Sequence, residues 1–196
     1  MEHEDKRRGS IGARRNPASA EAILAAAKAE LLEKGYAGFT MEGVARRARA
    51  GKPTVYRWWP SKSALLLDVY QRQKGGIDYG GSGPVEEDMF RFLRSLIRHW
   101  QTTPSGSIFR SLVAAAQSDP EAAAALADYA AMRRAHSAGM IRAAKARGEV
   151  AADVDPEVVA DLLSAYAWSH LLTDRLAEDD ATIRKAVRAI ARGIVA

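Results

Sequence analysis

The chain has 196 residues, 47% of them hydrophobic and 27% charged, with a formal net charge of +5. That composition suits a soluble globular protein with one large or two small folded units, and excludes fibrous and largely disordered classes. The absence of cysteine rules out disulfides, thiolate metal sites and a cysteine nucleophile and fits a reducing cytoplasm, while no apolar run approaches bilayer length.

Taken in chain order, residues 1–15 are charged and polar, with no apolar stretch of the kind a secretory signal needs. They read as a flexible basic arm. From Ser19 the residues Ala22, Ile23, Ala26, Ala27, Glu30 and Leu31 recur at helical spacing, with Asn16 or Ser19 as N-cap and Gly35 as the stop. Thr40 is placed to cap a second, short helix whose inward face is Val44, Ala45 and Ala48, with Gly43 a weak spot in it. Arg49-Ala50-Gly51 breaks the pattern. Lys52-Pro53 opens a third short helix, since proline is tolerated in a first turn, and Pro60 closes it. Ser61 caps the next, which carries Leu65, Leu66, Val69 and Tyr70. A glycine-rich segment over 75–84 reads as flexible.

Every later element reads as helix, over about 85–102, 105–117, 119–147, 156–173 and 179 to the end. No β-alternation and no internal repeat is present, so the predicted fold class is all-α. The expected division is an arm (1–15), an N-terminal helical unit (16–62) and a larger helical domain (63–196).

The positive charge is concentrated before residue 62, which points to a polyanion partner for that end of the chain. Two short helices joined by a tight turn, the second beginning with a basic residue, describe a helix-turn-helix. In that arrangement one helix enters the major groove while flanking groups grip phosphates.

Residues 39–66, FTMEGVARRARAGKPTVYRWWPSKSALL, resemble the signature of TetR-family regulators. The matching positions are Thr40, Val44-Ala45, Thr54-Val55-Tyr56, Trp59, Lys62 and Leu65. The resemblance implies an N-terminal three-helix DNA-binding unit, a helical ligand-binding and dimerisation domain, and a homodimer that reads palindromic operator DNA and is released by a small molecule.

Carried onto this sequence, it implies phosphate contacts from Thr40, Tyr56 and Lys62, groove contacts from Lys52, Pro53, Thr54, Arg57 and Trp58, and electrostatic grip from Arg46, Arg47 and Arg49. Trp59 and Leu65 are expected in the core. Because adjacent helix positions diverge by about 100°, Trp58 and Trp59 cannot share a face, and one of them is expected at the groove. Two departures stand out. The family often has glycine where this chain has Arg49, a role that Ala50-Gly51 could take over. Glu42 places a negative charge near the expected DNA surface, where it would point away or lower affinity.

In the C-terminal region Trp100, Phe109 and Tyr166 are the expected pocket-lining residues. The last two helices, with Val158, Val159, Leu162, Leu163, Tyr166, Ala167, His170, Ile183, Val187, Ile190 and Ile194, are the expected dimer seam. His99, His136 and His170 fall on different helices at no ligand spacing, so no metal and no cofactor is expected. Asp153 and Asp155 read as turn and cap residues rather than a catalytic pair. A helical enzyme or carrier using the same pocket is a weaker alternative, since no triad or phosphate loop is recognisable. A nucleoid-type or activating DNA binder is the other.

Overall fold

A computed structural model describes residues 16–73 and 75–194; the arm expected over 1–15 lies outside the described residues. Among the described residues there are nine helices and no β-strand: α1 Pro17–Gly38, α2 Met41–Arg47, α3 Lys52–Trp58, α4 Lys62–Arg72, α5 Val85–Thr102, α6 Ser105–Ala116, α7 Pro120–Ala146, α8 Pro156–Leu172 and α9 Asp180–Ala191.

Short polar side chains set the starts. The Asn16 side chain accepts from the Ala18 amide at 3.1 Å, Thr40 from Gly43 at 3.0 Å and Ser61 from Ala64 at 3.1 Å. Asp119 and Asp155 do the same for α7 and α8. Each such cap satisfies an amide that has no partner inside its helix. Proline follows directly at α1, α7 and α8, where a missing N–H costs nothing. Gly35 takes the left-handed conformation, φ 65°, and ends the regular part of α1.

The head is formed by α1, α2 and α3, with α4 leading from it into the body. Ile23, Ala27, Val44, Val55 and Leu65 are fully buried in it, with Trp59 nearly so. Gly43 is no weak spot: a Cβ there would fall on the Glu30 carboxylate, so glycine is what lets α2 approach α1 this closely. Glu30 itself is 1% exposed and receives Lys34 at 2.6 Å and Arg47 at 3.3 Å. The hydrogen bond from Lys34 is the main reason that its pKa lies below the ordinary carboxylate range.

The turn between α2 and α3 departs from expectation. Gly51 has φ −67° and serves as the N-cap of α3, while Arg49 occupies the left-handed region at φ 52°. Forward of it, Ala50 N donates to Ala45 O at 2.9 Å, a bond the turn makes only if the chain reverses at residue 49. A side chain in that conformation costs about 1–2 kcal/mol, and glycine would remove the strain at some cost in chain entropy. Arg49→Gly is therefore expected to stabilise by about 0.5–1 kcal/mol, raising Tm by about 1–4 °C in a chain of this size. A calorimetric scan showing a lower Tm would mean that the Arg49 side chain contributes more than its backbone costs.

The body consists of α5 to α9, with α4 packed on α6 and α7 and the most extensive contacts between α7 and α8. The 75–84 segment is docked rather than loose. The buried Asp88 carboxylate receives the Gly81 amide at 2.7 Å and the Gly83 amide at 3.3 Å, and Arg147 donates to the carbonyls of Gly81 and Gly83. Tyr79 lies against Phe92 and His136. Sequence composition alone could not reveal these long-range anchors.

Candidate nucleic-acid interface and effector cavity

Helix α3 is short and two-faced. Val55 points inward, fully buried, with Trp59 four residues on; Lys52, Pro53, Tyr56 and Arg57 are exposed, and Thr54 is half-buried. Trp59 is anchored by its indole N–H, which donates to Asp68 Oδ2 at 2.9 Å. That bond ties the end of α3 to α4 and fixes the direction in which the outward face is presented.

The outward side chains are grouped around Glu42. Its carboxylate lies 3.7 Å from Lys52 Nζ and accepts from the Tyr56 hydroxyl at 3.4 Å. Glu42 therefore does not point away. It sits among the residues expected to touch DNA, and its pKa is lowered by its own backbone amide and then by Lys52. Any phosphate that takes Lys52 or Tyr56 must displace this carboxylate. Thr40 is exposed beside the start of α2, its hydroxyl oxygen accepting the capping bond and its hydrogen available to donate.

Arg46 and Arg49 are exposed. Three other expected contacts are placed differently. Arg47 is drawn onto α1, where it pairs with Glu30 and Glu33. Lys62 donates to the Tyr36 carbonyl, and its ammonium lies 3.6 Å from the centre of the Tyr36 ring. Partial burial pushes its pKa down. Its position suits a clamp between α1 and α4. Trp58 is half-buried and borders a cleft with Leu67 of α4 and Ala125 and Met132 of α7, at the seam between head and body. Of the two tryptophans, Trp59 is the core residue, yet Trp58 does not project with Lys52 and Tyr56. In all three cases the partner lies far off in sequence, beyond the reach of local pattern.

In the body, α4 to α8 enclose a cavity of about 340 Å³. Trp100 and Phe109, both expected there, line it and stack at 5.7 Å between ring centres. Tyr70 of α4 continues the stack at 4.8 Å from Phe109, and its hydroxyl accepts the Trp100 indole N–H at 2.8 Å. Burial raises the Tyr70 pKa well above that of an ordinary phenol, so the ring is neutral at physiological pH. Tyr166 is not in the wall. It turns toward the α8–α9 connection, where its hydroxyl donates to Glu178 at 2.8 Å, and Trp168, two positions on, faces the cavity instead. Because α8 carries apolar residues around much of its circumference, periodicity did not separate these two faces.

The same distinction applies to the expected dimer seam. Val159, Leu163, Ala167, His170, Ile183 and Val187 are buried within this chain, the last two on the helix that packs against α5. Val158, Leu162 and Leu172 form an exposed stripe on α8, with Ala165 and Ser169 between them. Of the histidines, His136 lies edge-on to Tyr79 and His170 bridges the Tyr166 carbonyl and Glu178 at 2.8 Å each. Among the described residues no group of three or more His, Asp or Glu is placed to hold a metal, and no helix is long and apolar enough to cross a membrane.

Comparison with known proteins agrees with this arrangement. Residues 23–69 match the family described as "Bacterial regulatory proteins, tetR family", and residues 81–190 match "Tetracyclin repressor-like, C-terminal domain". The chain is 31% identical over 173 residues to the DNA-binding transcriptional repressor TetR of Mycobacteroides abscessus, covering 85% of this chain and 88% of that one. It is 28% identical to the HTH-type transcriptional regulator YdeS of Bacillus subtilis over 94% of both chains. Among solved structures, the TetR family transcription regulator SCO0332 superposes with a TM-score of 0.74 at 32% identity, covering 91% of this chain and 99% of that one.

Proposed function

The chain belongs to the TetR family of transcriptional regulators, and from that premise we propose that it is a repressor that binds a palindromic operator as a homodimer and releases it on taking up a small molecule. The observation that carries this reading is the connection made by α4. It starts against the head at Ser61 and Lys62 and reaches Tyr70 in the wall of the cavity, so one rigid helix belongs to both sites. A ligand that favours one setting of α4 shifts the population of head orientations.

In this proposal residues 16–62 form the DNA-binding unit and 63–196 the regulatory one, acting in the cytoplasm where operator DNA is found. No catalysis is assigned to the chain. Lys52, Pro53, Thr54 and Arg57 face base edges, and Thr40 and Tyr56 hold phosphates. Arg46 and Arg49 add long-range attraction, while Arg47 and Lys62 brace the head through their contacts with α1. The two-fold seam draws its apolar area from the Val158–Leu162–Leu172 stripe of α8, since the apolar residues of α9 are used inside the protomer.

Selection of genomic fragments with the purified protein, followed by sequencing, tests the reading. The expected result is a short palindrome with half-sites about 34–36 Å apart, overlapping a promoter. Sites lying upstream of promoters would make the protein an activator, and binding indifferent to sequence would overturn operator recognition. Leu162→Glu places two carboxylates across the two-fold axis. It is expected to weaken the dimer by about a hundredfold, from roughly 3 kcal/mol of unpaired charge at an apolar contact. Sedimentation velocity reads the change directly, and a variant that stays fully dimeric at the same concentration would place the seam elsewhere.

A further inference from the structure

The cavity has room for about ten waters at liquid density, and nearly half of its lining residues are aromatic, among them Tyr70, Tyr79, Phe92, Trp100, Phe109 and Trp168. Among the described residues, one full charge, on Arg133, faces this wall without an opposite charge. Arg133 of α7 is half-buried, and burial lowers its guanidinium pKa. Its guanidinium lies 4.7 Å from the centre of the Tyr79 ring, and the neutral Tyr70 phenol lines the same cavity. Among the described residues no carboxylate pairs with it and no acceptor takes its N–H groups.

The contrast with its neighbour is instructive. Arg134, also at the cavity, is held by Asp161 at 2.7 Å, so that pair carries no net charge. A guanidinium presents five N–H donors and stays charged in any protein environment. Stacking on Tyr79 offsets part of its desolvation but leaves the edge of the fork unsatisfied, and that edge is what binds a carboxylate bidentately.

We propose that the effector is a flat aromatic carboxylate, its ring held among Phe92, Trp100, Phe109 and Trp168 and its anionic group paired with Arg133 beside Tyr70. The inference rests on the ligand-release reading and narrows it to a chemical class. It also gives the ligand a direct route to α4, because the anion docks next to the phenol that α4 contributes.

The probes are 2-naphthoate and its neutral amide, 2-naphthamide, titrated into the full chain while quenching of tryptophan emission is recorded. Displacement from a genomic fragment recovered by selection is followed in parallel. The wild type is expected to bind the carboxylate at least about tenfold more tightly than the amide, the equivalent of roughly 1.4 kcal/mol. Arg133→Gln brings the two within about twofold, and Arg133→Lys retains part of the preference. The melting temperature of Arg133→Gln is expected to be no lower than that of the wild type, which separates lost recognition from lost folding.

Equal binding of the two probes, a preference that survives in Arg133→Gln, or binding of neither probe overturns the anion assignment. If other compounds release the DNA while 2-naphthoate does not bind, ligand release stands and the aromatic-acid assignment falls. If 2-naphthoate binds in an Arg133-dependent way and the DNA stays bound, the anion site stands and the ligand-release reading falls.

Discussion

Lys52→Ala is expected to weaken operator binding by about 10²–10⁴-fold while leaving the melting temperature nearly unchanged. A hydrogen bond to a charged partner contributes about 1.5–3 kcal/mol net, and a homodimer carries the substitution in both heads, which doubles the loss to about 3–6 kcal/mol. The lower half of that range is expected here, because Lys52 must first leave Glu42, which it meets at 3.7 Å in the free head. If Lys52 also meets phosphate, the slope of log affinity against log salt becomes shallower by about 1.8, at about 0.9 for each neutralised charge. Fluorescence anisotropy at several salt concentrations gives both quantities. A loss below threefold with an unchanged slope would remove Lys52 from the interface and with it the orientation proposed for α3.

Trp59→Ala is expected to be the most destabilising single change in the head. The side chain is 2% exposed and its indole N–H is bonded to Asp68 at 2.9 Å. Truncating a buried tryptophan costs about 3–5 kcal/mol through lost transfer energy and the void left behind, against a total stability of about 5–15 kcal/mol for a whole domain. A fall in Tm of about 6–20 °C follows at about 2–4 °C per kcal/mol, with loss of DNA binding at temperatures where the body is still folded. Trp59→Phe keeps most of the apolar volume and removes the N–H. It is expected to lose much less, and similar melting points for the two variants would show that the bond to Asp68, rather than the ring, holds α3 in place.

The helices were legible in the sequence because their signals are local. Asn16, Thr40, Ser61, Asp119 and Asp155 announce starts through their own side chains, and Gly35 announces a stop through its backbone. Lys52, Pro53, Tyr56 and Arg57 on the outward face of α3 were legible for the same reason, since Val55 and Trp59 fix its inward side; the placement of Trp58, expected at the groove, was not. What escaped depended on groups distant in sequence. Arg47 finds Glu30 and Glu33 on another helix, and Lys62 finds the Tyr36 carbonyl, so freedom to meet DNA could not be judged from the charge alone. Glu30 did leave a trace, as a carboxylate on an otherwise apolar face with Lys34 one turn on. The choice between Tyr166 and Trp168, and the presence of Arg133 at the cavity, both depended on how α7 and α8 are rotated about their axes. The apolar pattern of either helix permits more than one such rotation.

The anchoring of α4 at both ends has a geometrical consequence. Lys62 is clamped to the end of α1, and Tyr70 is held by its stack on Phe109 and its hydrogen bond from Trp100, eight residues or about 12 Å farther along the axis. With the pivot at Tyr70, a tilt of about 10° swings the clamped end by about 2 Å, and the two-fold axis of the proposed homodimer would turn that into a change of about 4 Å in the span between heads, set against the 34–36 Å of one DNA turn. Hydrogen bonds to phosphate tolerate only a few tenths of an ångström. In the proposed switch the length of α4 would thus act as a gear ratio, multiplying a rearrangement no larger than one side chain into a mismatch that the DNA contacts could not follow.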